Sequence, residues 1–334
     1  MAMTLPDGFE ARPATDADID GVAAMIEAAD RSLGVPADPV REELSWLWHL
    51  PSTDLGRDTR VVTLEGNIVA YAAAISLHPE DEVPADVIAR VHPAHHGAGI
   101  GTALASWNEK VARERTCGGV RTYVVDRDAS AHALLRSRGY AQVRSAFTMC
   151  RPLKPDEDPG TDPDGVTIRL YRDSDERALY ELHEDAFADH WGFQPTAFEA
   201  WNEALRGEGW DPSLVWLAEA RDTPVGYLVG LAFETCGFVA ILGVLRNWRG
   251  RGIGTALLHR SFAELARRGQ PEVRLTVDAL NTSGAVELYE RAGMTVCRRY
   301  DNYDLGTEDA ERASRENGTT VGERDAGSLN PLHG

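Results

Sequence analysis

Residues 244–257 read Val244-Leu-Arg-Asn-Trp-Arg-Gly-Arg-Gly-Ile-Gly-Thr-Ala-Leu257, and residues 91–104 read Val91-His-Pro-Ala-His-His-Gly-Ala-Gly-Ile-Gly-Thr-Ala-Leu104. The segment Gly-Ile-Gly-Thr-Ala-Leu is identical in the two stretches. Two further pairs recur at nearly the same separation: Arg12 to Asp18 with Arg169 to Asp175, and Gly139-Tyr140 with Gly293-Met294. Three repeated landmarks in one order predict a duplicated fold.

The repeat and the chain length predict the domain organisation. A chain of 334 residues is long enough for two domains of ordinary size. Between the copies, residues 151–165 carry four prolines and a run of acids, which is typical of a linker. We therefore expect one domain over residues 1–150 and another over residues 166–305. Residues 306–334 are polar and aperiodic, which predicts a disordered tail.

The composition indicates which partners the protein lacks. Its 53 acidic and 34 basic residues give a net charge of −19, which repels nucleic-acid phosphates and anionic lipid. The four cysteines have neither disulfide-framework nor metal-site spacing. The first eight residues lack the basic and apolar pattern of a signal peptide, and no stretch approaches about 18 consecutive apolar residues. We expect a cytoplasmic protein without nucleic-acid, membrane or metal partners. The excess of arginine over lysine is typical of a GC-rich bacterial genome.

The hydrophobic pattern of the second copy predicts an α/β domain, with a mixed, mostly antiparallel sheet flanked by helices. Short turns join its central strands, which favours antiparallel pairing. The first copy repeats the pattern from Phe9 to about Cys150. The predicted order in the second copy is a strand at 166–170, a helix at 173–189, strands at 214–220, 225–233 and 237–244, a helix to 268, a strand at 273–277, a helix at 283–292 and terminal strands within 295–303.

The glycines of Arg249-Gly-Arg-Gly-Ile-Gly254 follow a buried strand and open a helix. Such a turn directs backbone N–H groups and a helix N-terminus at one point, which suits a phosphate or pyrophosphate. A dinucleotide loop belongs to the first βα turn and a Walker loop needs Gly-Lys-Ser/Thr, so neither fits. A turn that only packs tightly would give the same pattern, and the loop alone does not decide between these readings.

A family resemblance joins this loop to a later segment. Arg249-x-x-Gly252-x-Gly254 resembles the R/Q-x-x-G-x-G/A pyrophosphate loop of the GNAT acyltransferase superfamily, and residues 277–294, with Asn281 and Tyr289, resemble its strand-Asn-helix-Tyr segment. The tandem arrangement resembles mycothiol synthase-like acetyltransferases. The resemblance implies two tandem GNAT-like domains, with acetyl-CoA or another acyl-CoA as cosubstrate.

The resemblance also implies site residues. Asn281 would bind the pantetheine arm, and Tyr289 would protonate the leaving thiolate, although a tyrosine at this position could instead serve only the core. The implied cofactor-binding residues are Leu242, Gly243 and Val244 for pantetheine, and Arg249, Gly250, Arg251, Gly252, Ile253, Gly254 and Thr255 for the pyrophosphate.

An ammonium acceptor must lose a proton, so a base is required. Glu234 is the preferred candidate, and Glu219, His183 and His190 are alternatives. A solvated surface role is the competing interpretation for each of them. Phe238 stands where mycothiol synthases carry a carboxylate, which makes the mycothiol precursor a doubtful acceptor. Six aromatic and aliphatic residues would make the acceptor-binding side of the site apolar: Leu231, Phe233, Phe238, Trp191, Phe193 and Trp210. The alternative is that these residues belong only to the hydrophobic core.

The first copy lacks the implied active-site side chains. Leu135 stands opposite Tyr289, Arg127 stands opposite Asn281, and His96 replaces the loop arginine. Its loop glycines, Gly97, Gly99 and Gly101, remain. The first domain is therefore expected to be degenerate, with a structural or acceptor-shaping role and weak cofactor binding at most.

We expect an N-acetyltransferase that moves an acetyl or short acyl group to a primary amine of a small molecule by direct attack. Acetylation of a peptide or protein amine is an alternative. A non-catalytic acyl-CoA-binding module is another, although Asn281 and Tyr289 argue against it. A monomer and a homodimer are both compatible with the sequence.

Overall fold

A computed structural model describes residues 3–36, 39–50, 52–75, 84–116, 118–188, 193, 195–206, 209–280, 283–308 and 311–312. These residues form twelve strands and nine α-helices. The strands are β1 Phe9–Arg12, β2 Thr59–Leu64, β3 Asn67–Ile75, β4 Ala85–Val91, β5 Val120–Val125, β6 Ala141–Pro152, β7 Thr167–Leu170, β8 Val215–Ala220, β9 Thr223–Ala232, β10 Gly237–Val244, β11 Glu272–Asp278 and β12 Thr295–Leu305. The helices are α1 Ile19–Ser32, α2 Val40–Trp48, α3 Leu55–Asp58, α4 Ile100–Arg115, α5 Ala129–Ser137, α6 Glu176–Phe187, α7 Phe198–Leu205, α8 Ile253–Arg267 and α9 Ala285–Arg291.

The chain divides into two compact units of the same design. Strands of the first unit follow the order β1-β2-β3-β4-β5-β12, and those of the second unit follow β7-β8-β9-β10-β11-β6. All neighbouring pairs within these orders are antiparallel except β4 with β5 and β10 with β11. The predicted α/β class with mostly antiparallel mixed sheets is confirmed. Helix α7 was not expected, and β12 is one strand instead of several.

The last strand of each unit comes from the other half of the chain. Strand β12 pairs with β5 from Tyr300–Val125 to Leu305–Val120, while β6 pairs with β11 from Asp278–Ala146 to Glu272–Pro152. The boundaries between the units therefore lie within β6, between residues 145 and 146, and within β12, between residues 297 and 298. The units differ in this respect from two contiguous domains. Residues 151–152, expected in the linker, belong to β6.

Side-chain contacts in the first unit stabilise the pairing of β12 with β5. Arg121 on β5 forms a salt bridge of 2.7 Å with Asp304 on β12, whose carboxylate is fully buried. Tyr303 is also fully buried, and its hydroxyl lies 2.8 Å from Nδ1 of His132. A buried charge separated from its partner is strongly destabilising, so these contacts hold β12 beside β5.

In each unit, the two parallel strands pair only at their beginnings. Strands β10 and β11 are matched at Gly237–Val273 and Phe238–Arg274, and β4 and β5 are matched at Ala85–Val120 and Asp86–Arg121. Beyond these pairs, no ladder joins the strands over the described residues. The strands diverge, and each sheet contains a gap on the side of its glycine-rich loop.

Two cores cover the second unit's sheet. Leu228 of β9 faces helices α8 and α9, whereas its neighbours Tyr227 and Val229 face helices α6 and α7. Val225 also faces α8, because a register shift against β8 makes it an extra residue of β9. We call these sides the α8 face and the α6 face. Over the described residues, no helix is both long and apolar enough to span a membrane.

Candidate active site

The glycine-rich loop of the second unit follows β10 directly. A 3₁₀ turn at Arg246–Trp248 leads into Gly250 and Gly252, which have φ values of +75° and +81°, and α8 starts at Ile253. These positive φ angles are strained for most side chains, so the backbone itself requires glycine. A Cβ at Gly250 would meet nothing within 4 Å, and one at Gly252 would only approach Pro163 at 4.0 Å. The loop is open to a ligand.

The loop presents unpaired N–H groups and positive charge. Over residues 250–255, no backbone N–H has a backbone acceptor in the described part of the chain, and Ala256 is the first of α8 to form an intrahelical bond, to Gly252. Arg251 is exposed beside them, with its guanidinium 4.6 Å from the Trp248 ring centre. A pyrophosphate is an anion with many acceptors, so this cradle fits the diphosphate of a coenzyme A.

Arg249 holds the loop in place. Its Nε donates to the carbonyl of Val244 at 3.0 Å, and its Nη2 donates to the carbonyl of Ala186 at 2.9 Å. These bonds tie the loop to the end of β10 and the last turn of α6. Arg249 therefore positions the loop through these hydrogen bonds, in addition to placing a positive charge beside it.

Strand β10 carries a bulge beside the gap. Val239 pairs with Gly230 and Ile241 with Val229, so Ala240 is an extra residue. As a result, Ala240 and Ile241 both pack on the α6 face, while Leu242 packs on the α8 face. The sequence did not reveal this bulge. It changes the direction of the backbone just before the predicted pantetheine-binding residues.

Tyr289 lies on α9, within the core of the α8 face, and is 7 % exposed. Burial raises the pKa of its phenol above the usual value, and no described residue hydrogen-bonds to its hydroxyl. The phenol is thus protonated at neutral pH and free to donate. Helix α9 also reaches the loop, because the adjacent Leu288 lies against Gly254.

The structure does not bring all the predicted residues together. Asn281 and His190 lie outside the described residues. Glu234 is exposed in the turn between β9 and β10, at the end of β10 opposite the loop. Glu219 forms an ion pair with Arg169.

His183, the remaining base candidate, is buried in α6. Its Nδ1 lies 2.5 Å from the hydroxyl of Tyr227, and burial lowers its pKa to about 4. A Cβ at Gly243 would lie 2.7 Å from Cε1 of Tyr227, so this pair adjoins β10. The imidazole is uncharged at neutral pH and is consequently a weak base.

The first unit keeps the loop backbone but not the reactive groups. Gly97 and Gly99 have φ values of +78° and +86°, and Nε2 of His96 lies 3.0 Å from the carbonyl of Val91, as Arg249 contacts Val244. Leu135 is buried where the second unit has Tyr289. Strands β3 and β4 pair without a register shift, so the described part of β4 has no counterpart of the bulge.

Comparison with known proteins agrees with this architecture. The model of the Acetyltransferase (GNAT) family matches residues 24–140 and 176–294. The chain belongs to the GNAT family. A mycothiol acetyltransferase of Thermomonospora curvata is 34 % identical over 306 residues, which cover 88 % of this chain and 94 % of that protein. The mycothiol acetyltransferase of Salinispora tropica is 33 % identical over 302 residues, 86 % of this chain and 94 % of its own.

Solved structures extend the comparison. A GCN5-related N-acetyltransferase from Sphaerobacter thermophilus has a TM-score of 0.78 and 35 % identity, over 91 % of this chain and all of that one. A tandem GNAT protein from the clavulanic acid pathway has a TM-score of 0.68 at 17 % identity, over 89 % and 98 % of the two chains, which supports the fold. The protein is therefore a GNAT acetyltransferase with an acyl-CoA cosubstrate. Among the described residues, no cluster of metal-ligating side chains is present.

Proposed function

We propose that the second unit transfers an acetyl group from acetyl-CoA to a primary amine of a small molecule. The observation that carries this proposal is the coincidence, in one unit only, of the open loop, the bulged strand beside the gap and a buried, protonated tyrosine. The first unit shares the loop conformation but has Leu135 in place of the tyrosine.

Different residues of the second unit bind the cosubstrate and promote the reaction. Residues 249–255 bind the pyrophosphate, and the unpaired edge of β10 at Leu242 to Val244 binds pantetheine in the gap. A neutral amine attacks the thioester carbonyl, and a backbone N–H of β10 near Leu242 stabilises the oxyanion. Tyr289 protonates the leaving thiolate. Asn281 is assigned to pantetheine on family resemblance. Glu234 receives no role, because it lies at the opposite end of β10.

Release of free CoA from acetyl-CoA, measured with a panel of small amines and with lysine-containing peptides, tests the proposal. Acetylation of small amines but not of peptides is the expected result. CoA release only with peptides would favour the protein-acetylating alternative. Tight acetyl-CoA binding without any acceptor-dependent release would indicate a binding module.

A further inference from the structure

The α6 face of the second unit adjoins the gap from the side opposite the loop. Helix α6 packs against both β9 and β10, whereas α8 and Tyr289 cover the other face. An acyl group held in the gap from the α8 face is therefore open to attack from the α6 face. The side chains of α6 that approach β10 are those that an acceptor would meet.

This wall is lined by aromatic side chains. Tyr227 is fully buried beside Gly243 and is bonded to His183, whose low pKa keeps the imidazole neutral. Phe187 and Phe193 lie next to the same imidazole, with ring-centre distances of 4.9 and 5.9 Å. Aromatic faces attract ammonium groups. The nearby Arg249 guanidinium is bonded to the carbonyls of Val244 and Ala186.

Glu184 supplies the complementary charge. Its Oε1 is buried without a hydrogen-bond partner among the described residues, whereas the carboxylate accepts a bond from the Thr196 backbone. Glu184 follows His183 in α6 and stands three residues before Phe187. Burial raises the pKa of this carboxyl, and its negative charge helps to raise the pKa of the Tyr227 phenol. A buried acceptor without a donor has an unfavourable desolvation cost. A ligand that brings an N–H group would remove that cost.

We propose that Glu184 binds the acceptor's primary ammonium group and acts as its base, and that the acceptor is an amine with an aromatic or other apolar substituent. This inference rests on the proposed function. It replaces Glu234 with a carboxylate on the α6 face. It also identifies the substrate class by its two features, an ammonium group for Glu184 and an apolar body for Phe187 and Phe193.

The proton and electron balance is complete. The Glu184 carboxylate takes one proton from the ammonium, and the freed nitrogen lone pair forms the bond to the thioester carbonyl carbon. The C–S bond breaks with its electron pair on sulfur, and Tyr289 supplies the proton to that sulfur. Of the two protons on the attacking nitrogen, one stays in the amide and the other returns to the tyrosinate through solvent. Glu184 releases its own proton to solvent.

Phenethylamine is the probe for this site, because it joins a primary ammonium to an aromatic ring. Calorimetry on the CoA-saturated protein is expected to show saturable binding. Glu184→Gln keeps the shape and the Thr196 contact but removes the charge, so affinity should fall roughly ten- to a hundredfold, and Glu184→Asp should recover part of it. Glu181→Gln, an exposed carboxylate on the same helix, is the matched control and should bind normally.

The same titrations separate this inference from the function it rests on. All variants should bind CoA equally, and the uncharged analogue 2-phenylethanol should not distinguish wild type from Glu184→Gln. Equal phenethylamine affinity in wild type and Glu184→Gln, or no binding to the wild type, would overturn the role of Glu184. Failure to bind CoA would instead contradict the proposed function.

Discussion

A Cβ atom at Gly254 would lie 2.9 Å from Cδ2 of Leu288, so a side chain in the first turn of α8 would displace the end of the Leu288 side chain on α9. The φ angle of Gly254 is not positive, so its backbone conformation does not itself require glycine. Gly101 holds the matching position in α4, where a Cβ would lie 3.5 Å from Leu134, an ordinary van der Waals distance. The same repeated glycine thus has different surroundings in the two units.

Gly254→Ala should therefore be less stable than Gly101→Ala, because its methyl group must displace the end of the Leu288 side chain. Overpacking costs about 1–3 kcal/mol in a rigid core, and the flexible end of Leu288 places this case at the lower end of that range. Gly101→Ala is the control, and it should be neutral or stabilising, because alanine is favoured over glycine in a helix. Thermal unfolding of both variants checks this. Equal melting temperatures for the two variants would contradict the close contact.

Two variants at Gly252 that have nearly the same shape but different charge test whether the loop binds pyrophosphate. Asn and Asp both tolerate positive φ, so Gly252→Asn and Gly252→Asp carry similar backbone strain. Only Asp places a negative charge at the N-terminus of α8, where it competes with the phosphates. Calorimetry should show acetyl-CoA binding more than tenfold weaker for Asp than for Asn, on the order of a 1.4 kcal/mol difference. Equal affinities of the two variants would show that this loop does not bind the pyrophosphate.

The local elements of the second unit could be predicted because the sequence carries local signals for them. The glycines mark where β10 ends and α8 begins, and helical spacing places Leu257 and Phe262 on one buried face of α8. The repeat then transfers the pattern to the first unit. The predicted helices and strands of the second copy are confirmed, with ends shifted by one or two residues at most positions.

The non-local features could not be predicted in this way. Exchange of β6 and β12 depends on Arg121 meeting Asp304 across 183 residues of chain. The bulge at Ala240 depends on the register of β10 against β9. Glu184 resembles any surface acid in the sequence, and only the burial of Oε1 distinguishes it. Pairing between distant strands leaves no periodic signal.

Burial of His183 should make folding stability depend on pH. Its pKa is about 4 in the folded protein, below the ordinary value, so below pH 6.5 the unfolded chain binds a proton that the folded protein does not. Stability is then lost as the pH falls from 6.5 towards 4. Linkage gives a loss of about 2 kcal/mol between pH 7.5 and 5 from this residue.

Denaturant unfolding at pH 7.5 and pH 5 measures this loss. His183→Gln cannot titrate but can still bond to Tyr227, so its stability should fall by about 2 kcal/mol less than that of the wild type over the same interval. An equal pH dependence in the two proteins would show that His183 is not held neutral by burial.

Tyr289→Phe keeps the aromatic ring in the core but removes the proton that the phenol donates to the thiolate. Because general acid catalysis contributes about 10²- to 10⁴-fold, kcat should fall in that range, while the KM for acetyl-CoA stays nearly constant. Tyr303→Phe is the matched control: it removes a buried hydroxyl from the first unit, with its bond to His132, so it should cost about 1 kcal/mol of stability and leave kcat unchanged. Initial rates and melting temperatures of both variants, under conditions where chemistry limits turnover, distinguish the two roles. If Tyr289→Phe lowers only the melting temperature, as Tyr303→Phe should, Tyr289 is a core residue and not the acid.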